Sequence, residues 1–430
     1  MSLDRQKQPE IYPIHSAKVP EVNSFPLQNG LQLYYLNSGA QDVLKIEFLF
    51  KAGFRDEKIK GLASVTASML FEGTGNFTSK EIHENLDHLG VFFETNTGMD
   101  FTSVVFFSLR KHLQKLLPLV NEIILNANFP ENELKLLLKK RIKSLRVNQK
   151  KNEYLARKLF LATLLGKEHP YTQDLNESDY NAISQDQLFS FYRDKLNPGN
   201  CIVLVSGKTQ SEDLNNIAEH FGNNPLKNTT GIFTGTIPFS SSSQKQNNLI
   251  RPKTVQASIR IGKILFTRNH TDYPGFKVLN EILGGYFGSR LMSNIREEKG
   301  YTYGIGSALI PSRDFGIFMI ATDSKGEMTE KVLEEIYKEI NILRKEPVSN
   351  DELNRVKNYM LGGFLASLSS PFSQMDKFST IYESGLDYSF YRRYIEILRN
   401  ITPEEIQQLA VKYLEPETLM EAVVGPGDVL

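Results

Sequence analysis

Apolar positions along this 430-residue chain fall into short alternating runs and longer helical ones. Gly30 to Leu36 and Val43 to Lys51 are rich in β-branched and aromatic residues and predict strands. An apolar helix follows from Gly61. A second helix opens near Thr78, where Glu81 completes a capping box, and stops at Gly90. Strands are expected over Val91 to Thr97 and Phe101 to Leu109, then helical periodicity from Lys111 to about Leu165. A helix over Asp186 to Lys195, halted by Pro198, leads to an apolar strand over Cys201 to Ser206. From Asn223 to Pro252 the chain turns to Asn, Thr, Gly, Pro and Ser, and FSSSSQKQNN is its clearest linker signal.

The second half repeats this order. A strand over Thr254 to Phe266, helices from Tyr273 and over Ser289 to Gly300, strands over Tyr301 to Leu309 and Asp314 to Asp323, and long helices after Glu327 recur in sequence. Gly90 matches Gly300, Glu133-Leu134 matches Glu352-Leu353, Leu196-x-Pro198 matches Leu414-x-Pro416, and Gly207 matches Gly425, at offsets of 210 to 219. One unit of about 215 residues has been duplicated. The expected fold is α+β, two duplicated domains, each a mostly antiparallel sheet covered by helices. The expected divisions are an N-terminal arm over 1–26, a first domain over 27–222, a linker over 223–252 and a second domain over 253–430.

Fifty basic and fifty acidic residues cancel. That balance gives no footprint for nucleic acid or an anionic membrane, and no apolar run is long enough to span a bilayer. The basic run from Lys135 to Lys151 has a helical pattern and reads as a solvated face. Cys201, the single cysteine, reads as a buried strand thiol with no intramolecular disulfide partner. His83, Glu84 and His88 spell H-E-x-x-x-H, but a spacing of five turns the second ring about 140° away from the first on a helix. The other histidines, His15, His112, His169, His220 and His270, stand singly. The compartment stays open: cytoplasmic as the chain stands, periplasmic if a leader was removed.

The helix from Gly61 to Thr74 reads GLASVTASMLFEGT. It resembles the zinc-site helix of the pitrilysin/insulinase-type peptidases, the inverted zincins, with the pattern G-x-A-H-x-x-E-H-M-x-F-x-G-T. Gly61, Ala63, Met69, Phe71, Gly73 and Thr74 fall on that frame. Ser64 stands where the family has its first metal-binding His, Ala67 where it has the general-base Glu, and Ser68 where it has the second His. A hydroxyl is a poor zinc ligand at neutral pH, and a methyl group has no proton chemistry. By the same resemblance the third ligand, a Glu about 76 residues further on, falls at Ser144, and no acidic residue occurs from Leu134 to Asn152. No zinc is therefore expected in this chain. Ser64 and Ser68 have no His or Asp placed to activate them and read as small residues filling a helix face.

SRLMSNIREEKGYTYGIGS, Ser289 to Ser307, resembles the family's C-terminal-domain motif R-E-x-x-G-x-x-Y, with Arg296 and Tyr303 on its Arg/Tyr pair. In the family that pair holds the substrate backbone and helps polarise the scissile carbonyl. Gly284, Gly285 and Gly288 precede the helix and read as tight packing, since neither a leading strand nor a Lys-Ser/Thr completes a phosphate loop. The resemblance covers the chain from about Leu27 and implies two similar domains forming a half-shell. It also implies the two-chain branch of the family, in which one subunit carries the zinc motif and the other the Arg/Tyr pair. The expected role is a non-catalytic, substrate-binding subunit that closes a chamber with a catalytic partner carrying zinc and the intact motif, acting on peptides. A homodimer stays open. So does the alternative of an inactive scaffold or peptide-binding protein of the same fold, and an active enzyme with an unrecognised site is a weaker third reading.

Overall fold

The computed structural model describes residues 18–223 and 235–427. His15, most of the expected arm and the centre of the expected linker lie outside them. The first half carries strands β1 (Asn23–Pro26), β2 (Gln32–Asn37), β3 (Val43–Phe50), β4 (Phe92–Thr97), β5 (Thr102–Leu109) and β6 (Cys201–Gly207). Its helices are α1 (Leu62–Met69), α2 (Ser79–His88), α3 (Leu113–Leu125), α4 (Glu131–Asn148), α5 (Asn152–Leu165), α6 (Glu177–Asn181), α7 (Gln185–Lys195) and α8 (Ser211–Phe221). The second half has β7 (Gln246–Ile250), β8 (Gln256–Leu265), β9 (Thr302–Pro311), β10 (Gly316–Lys325) and β11 (Met420–Gly425). Its helices are α9 (Tyr273–Asn280), α10 (Thr329–Lys345), α11 (Asn350–Ala366), α12 (Pro371–Glu383), α13 (Ser389–Asn400) and α14 (Pro403–Tyr413).

Two sheets result, ordered β1-β2-β6-β3-β5-β4 and β7-β11-β8-β10-β9. Apart from β1, the orders are the same when the halves are superposed in sequence, down to one parallel pair in each, β2 with β6 and β7 with β11. Gly90 and Gly300, paired by the repeat, both take left-handed backbone, at φ +63° and +67°. Each turns the chain from a helical segment into an edge strand, β4 or β9. The Thr78–Glu81 capping box forms as expected, with the Glu81 carboxylate accepting from the Thr78 backbone N–H at 2.8 Å.

The boundaries shift in two places. β7 lies inside the stretch expected to be linker: its exposed, polar sequence QNNLI lacks apolar alternation and is a strand because it pairs with β11. The serine run before it is not free chain either. Ser240 and Ser242 donate backbone N–H groups to the carbonyls of Leu165 and Thr163, and the Ser241 hydroxyl donates to Leu164 at 2.7 Å. These bonds satisfy the orphan carbonyls at the end of α5. Helix α8, not anticipated from the pattern, packs across β3 through Phe221, whose ring lies 4.9 Å from that of Phe48.

β6 is buried along its whole length because helices cover both of its faces. Val203 and Val205 face the first half's own helices, while Ile202 and Leu204 join the core formed with the second half. The covering helix on that side is α12. Its Phe378 ring lies 4.7 Å from Tyr34 on β2, and its Asp376 pairs with Lys45 on β3 at 2.8 Å. α5 makes the reciprocal move. Phe160, Leu164 and Leu165 pack with Phe315, Ile317 and Ala422 of the second sheet, and the Asn152 side chain donates to the Gln256 carbonyl at 2.7 Å. The two helices occupy matching places in the duplication, and each covers the other half's sheet.

A buried guanidinium closes the seam. Arg55 pairs with Asp314 of the second half at 2.7 Å and with Asp100 of the first at 3.3 Å, and also reaches the Tyr171 hydroxyl and the Gly235 carbonyl. The exchange of helices predicts coupled unfolding. Phe160→Ala, on a first-half helix, should cost about 3–5 kcal/mol and shift one cooperative transition of the whole chain in denaturant. Two separate transitions with only one displaced would contradict it.

Candidate functional site

α1 is set by its first turn. Glu57 accepts from the Gly61 N–H at 2.9 Å and the Ala63 N–H at 3.0 Å, so a carboxylate sits on the positive end of the helix. Leu62, Ala63, Val65, Thr66, Ala67 and Met69 are buried, which fixes the remaining face, with Ser64 and Ser68 half-buried. The Ser64 hydroxyl donates back to the Gly61 carbonyl and the Ser68 hydroxyl to the Ser64 carbonyl, at 3.1 and 3.0 Å. Both hydroxyls are engaged by their own helix. Ala67 is fully buried and offers only a methyl group.

The neighbouring helix α4 contributes Arg141, whose guanidinium donates to the Ser68 hydroxyl at 2.9 Å. Ser144 lies one turn further along α4, exposed. A fixed positive charge therefore sits against Ser68, the residue that the resemblance aligns with the family's second metal-binding His. This donor set does not fit a zinc ion: it offers two neutral hydroxyls, a methyl group and a cation that would repel the metal. Among the described residues no group of three or more His, Cys, Asp or Glu is placed to hold a metal. His83 lies 4.0 Å from Glu72 and packs against the Phe93 ring. The Cys201 thiol is buried, and that burial pushes its ionisation well up.

Arg296 and Tyr303 do meet. The expected helix over Ser289 to Gly300 is wound as a π-helix over Met292–Glu298, and a second π-segment, Glu281–Gly285, precedes it. Such segments add a residue per turn and re-aim side chains. Gly284 is required where the earlier segment presses on β9, since a Cβ there would sit 2.7 Å from the Ser307 nitrogen. Asn280 and Ser307 exchange bonds at 3.2 Å across the same contact. Arg296, in the last turn of the Met292–Glu298 segment, donates from Nε to the Tyr303 carbonyl at 3.0 Å and lies over the Phe287 ring at 4.9 Å.

Tyr303 stands on edge strand β9, opposite a register shift between Thr322 and Ser324 of β10. This bulge, pinned by Thr302 and Thr322 hydroxyls 2.9 Å apart, turns the phenol out of the sheet. The ring is 92% exposed, and Phe287 beside Arg296 is 61% exposed. The result is a surface group of two exposed aromatic rings and a half-buried guanidinium that lies over one of them. With Nε taken by the Tyr303 carbonyl, the other guanidinium nitrogens of Arg296 make no hydrogen bond among the described residues, and Glu297 lies 3.8 Å away.

Three of these residues were not singled out from the pattern. Arg141 was read as part of a solvated basic face. Phe287 carried only the signal of interrupting a glycine cluster, and Glu57 that of the second of two adjacent acids ahead of a helix start.

Comparisons with known proteins identify the family and the fold. Residues 35–172 match the family model described as insulinase, peptidase family M16, and residues 182–360 match the one described as peptidase M16 inactive domain. The chain belongs to the insulinase-type M16 peptidase family. An uncharacterized zinc protease of Rickettsia felis is 24% identical over 421 residues, covering 94% of this chain and 98% of that protein. YmxG, an uncharacterized zinc protease of Bacillus subtilis, is 23% identical and covers 83% of this chain and 87% of its own. Among solved structures, the peptidase M16 inactive domain from Pseudomonas fluorescens superposes with a TM-score of 0.85 at 22% identity, over 95% of this chain and 98% of that one. A protease from Helicobacter pylori gives 0.86 at 20%, over 95% and 100%. Both of these structures share the two-domain α+β fold. No helix among the described residues is long and apolar enough to cross a membrane.

Burial pushes the Glu57 carboxyl up to about 7 from its ordinary 4.5, against the two backbone bonds that pull it down. Between those values the folded chain keeps a proton that the unfolded chain has released. Stability should therefore fall as pH rises from 4.5 to 7, by at most about 3 kcal/mol from this group. Glu57→Gln should flatten that slope in urea titrations, whereas parallel wild-type and variant profiles would contradict it.

Proposed function

We propose that this chain is the non-catalytic, substrate-binding subunit of a two-chain zinc peptidase. It closes a chamber against a catalytic partner of the same family that carries the intact H-x-x-E-H motif. Arg296 and Tyr303 hold the backbone of a bound peptide, and the zinc-dependent step belongs to the partner.

The observation that carries this reading is the contrast between the two sites. Arg141 stands against Ser68, which the resemblance aligns with a metal-binding His, while the half-buried Arg296 is bonded to the Tyr303 carbonyl and the Tyr303 ring faces solvent. A guanidinium offers a fixed fork of donors to a carbonyl oxygen, and an exposed phenol adds another where charge develops. A chain that had left proteolysis altogether would have no chemical need for that pair. Peptide, rather than a small polar metabolite, suits a surface of two aromatic rings and one cation on a strand edge.

Two measurements test the proposal. In the reconstituted pair, Arg296→Ala should lower kcat/KM by about tenfold to a hundredfold, the worth of a charge-assisted hydrogen bond, while gel filtration shows assembly unchanged. Unaltered turnover would sink the clamp role. Metal analysis of the isolated chain should find no stoichiometric zinc, and one tightly bound zinc per chain would overturn the reading of Ser64, Ala67 and Ser68.

A further inference from the structure

A cleft of about 480 Å³ opens at the seam between the two halves, within the usual range of small-molecule sites. Its first-half wall is β3 and the turn from Asn96 to Phe101. Its second-half wall is the loop Thr267 to Asn269, the turn Pro311 to Arg313 and the end of α12. It shares no residue with the Arg296 surface or with α1.

Most charges around it are already neutralised within the protein. Glu47 is held by Lys45 at 2.9 Å, and Asp100 by Arg55 and the Tyr171 hydroxyl. Arg268 and Glu383 are different. The half-buried Arg268 guanidinium lies 5.9 Å over the Tyr273 ring, and none of its donors meets a protein acceptor among the described residues. Its Nε is closed off from solvent altogether. Glu383, at the end of α12, takes only the Ser379 hydroxyl, at 3.0 Å, and has no cation within ion-pair distance among the described residues.

A partly buried guanidinium without acceptors is costly, while the Glu383 side chain is exposed in the cleft and free to take a cation. The two have opposite signs, line the same cleft, and do not pair with each other. A ligand carrying both a carboxylate and an ammonium group would satisfy them together, with Thr267, Asn96 and Thr380 available for its polar backbone. We propose that this cleft binds a small zwitterion, an amino acid or short peptide, with its carboxylate on Arg268 and its ammonium on Glu383. Because the walls come from both halves, an occupied cleft also ties them together and raises stability.

Calorimetric titration of the full chain with glycine and with triglycine tests this, with N-acetyl-triglycine amide, which lacks both charges, as the comparison. One-to-one binding of either zwitterion, and none of the blocked peptide, is the expected result. Binding of triglycine alone assigns a short peptide, and binding of glycine assigns a free amino acid. Arg268→Gln and Glu383→Gln should each weaken binding at least about tenfold. The proposal is overturned if neither zwitterion binds at millimolar concentration. It is overturned equally if the blocked peptide binds as well on the unmodified chain, a comparison that needs no variant to fold, or if folded variants bind unchanged.

Discussion

Each sheet of this protein is covered on one face by a helix from the other half, and the rest of the structure depends on that exchange. α5 carries Phe160, Leu164 and Leu165 onto the second sheet, and α12 carries Phe378 onto the first. β6 can be buried along its whole length only because helices from both halves close over it. The first half has a core of its own on one face of its sheet, and the other face joins the core of the second half. The Arg55 clasp, with one aspartate from each half, adds a fixed register to the seam, and the serine-rich connection is held on the end of α5 instead of looping free.

On that frame the two candidate sites have gone different ways. In the first half the polar face of α1 is spent on itself: Ser64 and Ser68 bond back to their own helix, and Arg141 supplies a cation. In the second half, two π-segments and a β-bulge direct Arg296 and Tyr303 outward. Bulges and π-segments interrupt regular hydrogen bonding and are kept where they re-aim a side chain. Their concentration around one exposed Arg–Tyr pair is the physical reason to look for function there.

Much of the fold was legible in the residues because apolar periodicity and glycine positions report local geometry directly. The duplication showed through Gly90 and Gly300, which both need left-handed backbone. What stayed hidden depends on contacts between elements far apart in sequence. Periodicity shows that α5 has an apolar face and not which sheet that face meets. β7 is a strand through pairing with β11, with little apolar pattern of its own. The close approach of the first π-segment to β9 depends on Gly284, where a Cβ would meet Ser307. Residue types at Ser64, Ala67 and Ser68 were the basis for expecting no zinc. The role of Arg141 was not readable, because a basic residue in a charged helix looks the same whether it faces water or reaches a neighbouring helix.

The most direct measurement is affinity purification of the tagged chain from its native extract, with identification and quantitation of what accompanies it. The account predicts a similar-sized chain with an intact H-x-x-E-H motif in equal amount, and zinc-dependent peptide cleavage in the purified pair. Recovery of this chain only with itself or with an unrelated assembly would contradict the divided-peptidase account, and Arg296 and Tyr303 would then revert to structural residues.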